Sequence, residues 1–149
     1  MTLDEEFIPS VAVGRFSGDL GGISADDANR MLTDLLSKIS IDCSEAGGII
    51  GHNKANFRCG EDLLSISCTT NNGNVRTKSV FTSPVGGFTG IMDVIVYDLD
   101  YATMKDIVER RTSEIGGLTV TVLENQAKCS DPNCKDPNCT NPEHMARDR

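Results

Sequence analysis

Residues 49–82 read IIGHNKANFRCGEDLLSISCTTNNGNVRTKSVFT, and this stretch decides the fold class. Apolar and polar residues alternate through Ile49–Arg58 and again through Leu63–Thr70, the period of a half-buried strand. Gly60-Glu61 between them reads as a tight turn. Asn72-Gly73 is the strongest short hairpin signal in the chain, and Val75–Thr82 follows as a third strand. Two-residue turns at both points set Phe57 opposite Leu64, Ala55 opposite Ile66 and Asn53 opposite Cys68. Across the second hairpin they set Leu64 opposite Phe81 and Cys68 opposite Thr77. The core face is then Ile49, Ala55, Phe57, Leu64, Ile66, Cys68 and Phe81, on which Cys59 and Cys68 serve as small core residues.

The opposite face collects His52, Lys54, Arg58, Ser65, Ser67, Thr69, Arg76 and Lys78. Five of these carry or gain positive charge and three bear hydroxyls, in a chain whose net charge is −8. Such a face suits a phosphate, a carboxylate or an acidic partner surface. A solvated sheet face is the competing reading, since alternating polar residues are expected there in any case. A slip of one residue in register would exchange the two faces.

Outward from the meander, a first strand is expected around Ile8–Phe16, ending in the turn-rich Ser17-Gly18-Asp19-Leu20-Gly21-Gly22. Ser24 is a helix N-cap, with Asp26 and Asp27 in the first turn. Met31, Leu32, Leu35, Leu36 and Ile39 form one stripe of that helix, which runs to about Ile39. Ser83–Gly90 reads as a loop and Ile91–Tyr97 as a central strand with Asp93 its only charge. Asp98 or Asp100 caps a second helix with Met104, Ile107, Val108 and Ile115 on its apolar stripe. Gly116-Gly117 ends it, and Leu118–Leu123 is the last strand. The order β-α-β-β-β-β-α-β predicts an α+β two-layer sandwich, a mostly antiparallel sheet with two helices on one face, ferredoxin-like or related.

Composition changes abruptly after Asn125. Residues 1–125 hold 10 Lys+Arg and 18 Asp+Glu, the whole of the −8, while residues 126–149 hold 4 of each and no Val, Ile, Leu, Phe or Tyr. The first segment is read as one α+β domain. The second cannot bury enough apolar surface to offset its own ordering.

That second segment repeats one pentapeptide three times: Cys129-Ser-Asp-Pro-Asn, Cys134-Lys-Asp-Pro-Asn, Cys139-Thr-Asn-Pro-Glu, then His144. Asp or Asn followed by Pro suits the first two positions of a type I turn, and the ligand residue falls at the fourth. Each turn brings successive ligands to within roughly 7 Å. Three thiolates and an imidazole are a complete tetrahedral zinc set. Cu(I) or an iron–sulfur cluster also suits soft sulfur donors. Metal binding would supply folding energy that the tail lacks in apolar residues. A linker, a redox-active thiol tail and plain low complexity are the other readings of the same residues. Cys43, Cys59 and Cys68 are too scattered to be expected in the ligand set.

The acidic balance speaks against nucleic acid as a partner and against anionic membranes. No apolar run approaches the ~20 residues that span a bilayer. The start, Met1-Thr2-Leu3-Asp4-Glu5-Glu6, lacks the basic and apolar regions of a signal peptide. A cytoplasmic, reducing setting is therefore expected, with cysteines as thiols or metal ligands. No catalytic constellation is complete. His52 has no Ser, Cys or carboxylate placed to make it a base, Asp98 and Asp100 are read as caps, and Gly18–Gly22 before a helix lacks a full phosphate-binding fingerprint. The sequence thus points to a metal-binding accessory or regulatory protein. The alternative is a small anion-binding domain or enzyme that works through the basic face. A protein partner or a homo-oligomer is also compatible with it.

Overall fold

A computed structural model describes residues 8–124. Among these residues seven strands and two helices follow in the order β1 (Ser10–Ile23), α1 (Ala25–Glu45), β2 (Ile49–Ile50), β3 (Asn53–Cys59), β4 (Asp62–Cys68), β5 (Arg76–Ser79), β6 (Val85–Tyr97), α2 (Tyr101–Ser113) and β7 (Leu118–Glu124). The strands form one sheet in the order β5-β4-β3-β6-β1-β7, with β2 paired to the end of β6. Every pairing is antiparallel. The fold is α+β.

The helices start and pack as their residues require. The Ser24 hydroxyl accepts from the Asp27 amide at 3.1 Å, satisfying one of the open donors of the first turn of α1. The buried stripe Ala28, Leu32, Leu35, Leu36, Ile39, Ser40 and Cys43 extends α1 beyond Ile39 to Glu45. In α2, Met104, Ile107, Val108 and Thr112 are buried. Asp100 holds the N-cap position but makes no side-chain cap bond. Asp98 takes a left-handed φ of 61°. Arg111 of α2 grips Asp42 of α1 through two hydrogen bonds, Nε to Oδ2 at 2.6 Å and Nη2 to Oδ1 at 3.0 Å.

Beneath the helices the core centres on Phe57, stacked edge-on against Phe16 and Phe88 with centroids 5.5 and 6.0 Å apart. Gly90 makes this possible, because a Cβ there would collide with the Phe57 ring.

Several sequence expectations are corrected. The glycine-rich segments at 17–22 and 83–90 are not both connections: β1 continues through Ser17–Gly22, and β6 begins at Val85. Each supplies the other's partner, Ser17 opposite Thr89 and Asp19 opposite Gly87, so mutual pairing overrides weak strand propensity. Gly21 and Gly22, with φ of 70° and 80°, absorb an irregularity before Ile23. The segment Ile49–Arg58 is broken at Gly51-His52, whose two amides both donate to the Ile95 carbonyl. The break changes parity, so Ile50 is buried and Ile49 lies 52% exposed rather than in the core.

The β3–β4 register is as expected, with Phe57 opposite Leu64, Ala55 opposite Ile66 and Asn53 opposite Cys68. The second hairpin is not the two-residue turn expected. Thr77 pairs with Ile66, not Cys68, and β5 ends at Ser79, so Phe81 does not face Leu64. The reason is tertiary. Asn71 donates to Ser44 Oγ and the Gly48 carbonyl and accepts from the Ile50 amide, while Ser37 of α1 donates to the Gly73 carbonyl. These bonds dock the loop on the helix and widen it. Phe81 is buried all the same, because the Asn29 amide brackets its backbone, donating to its carbonyl at 3.0 Å and accepting from its N–H at 2.8 Å.

A candidate anion site on the open face of the sheet

Register fixes the uncovered face row by row. One row runs Val13–Asp93–Lys54–Ser67–Arg76 across β1, β6, β3, β4 and β5. The next runs Arg15–Ile91–Asn56–Ser65, and the third Ser17–Thr89–Arg58–Leu63. The shift by two residues in the second hairpin preserves parity, so Arg76 stays on the face expected for it and now lies beside Ser67.

Two adjoining depressions lie over these rows. The first, of about 330 Å³, is lined by His52, Lys54, Asn56, Ser65, Ser67, Arg76, Thr77 and Lys78. The structure thus brings together four of the five basic residues expected there. The fifth, Arg58, lines the second depression, of about 580 Å³, with Arg15, Asp93, Leu63 and Ile91. Lys54 and Asn56 belong to both. Thr69 lies beyond the end of β4 and lines neither.

The electrostatics of this face run against the rest of the molecule. Lys54 meets Asp93 at 4.0 Å, and among the described residues His52, Arg15, Arg58, Arg76 and Lys78 form no ion pair. Acidic excess lies instead on α1, where Asp26, Asp27, Asp34, Asp42 and Glu45 outnumber Arg30 and Lys38. Cations side by side repel one another, and a bound anion relieves that repulsion.

Arg15 and Asn56 were missed at the level of sequence. The outward direction of Arg15 was legible, since it alternates with Gly14 and Phe16, but its nearness to Arg58 depends on β6 lying between β1 and β3.

Other candidates fare differently. The Gly18–Gly22 cradle is not formed: the segment is strand, and the Asp19 carboxylate already accepts the Gly21 N–H at 2.8 Å. Cys43, Cys59 and Cys68 are free thiols. Burial, with the Asp42 charge second, pushes the Cys43 thiol up to about 12, which keeps it protonated. Among the described residues no group of three or more His, Cys, Asp or Glu gathers to hold a metal, and no helix is long and apolar enough to cross a membrane. The ligand set Cys129, Cys134, Cys139 and His144 lies outside the described residues. No protein-family model, no curated protein and no solved structure matches the chain.

Proposed function

We propose that the domain is a binding module for a small phosphate- or carboxylate-bearing ligand, received on the open sheet face. The observation that carries this reading is the row Lys54–Ser67–Arg76, two cations flanking a hydroxyl on consecutive strands, with His52 and Lys78 lining the same depression. An anion over Ser67 takes charge-assisted hydrogen bonds from both sides, worth about twice a neutral pair. Titration of the full chain with inorganic phosphate, followed by amide chemical shifts, tests it. Saturable shifts are expected at residues 65–67 and 76–78, and their loss in Lys54→Glu/Arg76→Glu. Scattered shifts, or equal shifts in the double variant, would sink the reading.

A second reading rests on the threefold pentapeptide of the tail: a metal-binding accessory or regulatory protein of a reducing compartment such as the cytoplasm. Cys129, Cys134, Cys139 and His144 would hold zinc, or Cu(I) or an iron–sulfur cluster in its place. Elemental analysis of protein purified under reducing conditions without added metal is the measurement. One equivalent of metal is expected, and none in Cys134→Ser/Cys139→Ser. Two tails sharing an ion would make the homo-oligomer depend on metal, which light scattering with and without a chelator reads.

The ferredoxin-like assignment also belongs here. It is supported by the order β7-β1-β6-β3 of four neighbouring strands at one end of the sheet, with a helix following β1 and another following β6.

A further inference from the structure

The two depressions share Lys54 and Asn56, and the cations without a carboxylate partner among the described residues sit at opposite ends. Arg76 and Lys78 flank one end, on β5. Arg15 and Arg58 flank the other, on either side of β6. With about 4.8 Å between strands and about 3.3 Å per residue, the point midway between Arg15 and Arg58 lies roughly 14 Å from Ser67, before the long side chains lean inward.

What lies between the ends is different in kind. Asn56 stands on the line joining them, offering both a donor and an acceptor. Asp93, the only acid lining either depression among the described residues, stands beside that line and is partly engaged by Lys54 at 4.0 Å. A carboxylate there repels a central anion and accepts from a hydroxyl.

We infer that the two depressions are halves of one site, for a ligand with an anionic group at each end and hydroxyls between, the class of doubly phosphorylated sugars and polyols. This deepens the anion-binding reading and rests on it. The phosphate at one end sits over Ser67 between Lys54 and Arg76. The other sits between Arg15 and Arg58, over β6, where the Thr89 hydroxyl lies beside it. Joining two weak seats through one ligand raises affinity without new contacts, by the effective concentration of the second end.

Calorimetric and amide-shift titrations of the full chain with inorganic phosphate, glucose 6-phosphate and fructose 1,6-bisphosphate test this. The bisphosphate is expected to bind at least about tenfold more tightly than either single phosphate, with shifts at both Ser67 and Thr89. Arg15→Gln and Arg58→Gln, both at exposed positions, are each expected to bring it down to the level of glucose 6-phosphate. Unaltered thermal melting shows that the variants remain folded. If phosphate binds at Ser67 but the bisphosphate gains nothing over glucose 6-phosphate, or keeps its gain in both arginine variants, this inference is overturned and the simpler reading stands. If none of the three ligands shifts Ser67, both fall together.

Discussion

Asn53 and Lys54 are adjacent on β3, and they show how differently the two faces of one sheet use polar side chains. Asn53 is fully buried. Its amide donates to Ser40 Oγ of α1 at 3.0 Å and accepts from the Ile95 N–H at 2.8 Å, closing the gap left where β2 and β3 part. Among the described residues, no buried side-chain polar atom lacks a partner. On the helix-covered face, then, polar groups are satisfied by the protein itself and hold the fold together. On the open face Arg15, Arg58, Arg76 and Lys78 have no carboxylate partner among the described residues. Their interactions are not taken up by any carboxylate of the described residues.

That contrast can be broken at several points. Phe57→Ala removes the central ring of the aromatic trio and should cost about 3–5 kcal/mol in denaturant unfolding. A loss below about 1 kcal/mol would mean that the covered face is not the core it is described as. Asn53→Ala leaves the Ile95 N–H and the Ser40 hydroxyl without their partner in a dry setting. It should cost roughly 2 kcal/mol and speed hydrogen exchange at the Ile95 amide. An unchanged exchange rate would show that the amide is satisfied by other means.

The third point of attack is the clasp between the helices. Hydrogen bonding by Arg111 outweighs partial desolvation and holds the Asp42 carboxyl below its usual value. A carboxyl depressed in the folded state contributes stability that is present above its unfolded value, near 4, and is lost as pH falls through the folded value. Wild type and Arg111→Met should therefore differ most near neutral pH and converge as pH falls below the usual carboxylate range. A constant difference across that range would show that Arg111 acts through packing rather than charge. The smallest effect on stability belongs to the open face. Lys54→Glu/Arg76→Glu should leave unfolding within about 0.5 kcal/mol of wild type while abolishing phosphate shifts. A large loss of stability would erase the distinction between the two faces.

Much of this contrast was legible before any coordinates. The alternation in Asn53–Cys59 and Asp62–Cys68, with a tight turn between, determined which residues face inward, and the pairing of Phe57 with Leu64 followed. The α1 stripe was legible for the same reason, a period that matches the geometry of its element. The glycine-rich strands were not. Residues 85–90 hold three glycines and little strand propensity, and only their pairing with β1 and β3 makes them strand. The widened hairpin at Asn72-Gly73 was equally hidden, because Asn71 and Ser37 make their bonds to residues more than 20 positions away.

The amino-acid sequence by itself determined the two-layer class, the direction in which each basic side chain of the meander points, and the Cys-Cys-Cys-His spacing of the tail. Those are local properties, set by periodicity and by turn chemistry within a few residues. Only the tertiary structure decided that β6 comes between β1 and β3. That order brings Arg15 and Asp93 to the basic strip and turns a row of charges into two joined depressions. Strand order is decided by which long-range pairings bury the most apolar surface together, and no window of sequence contains that comparison.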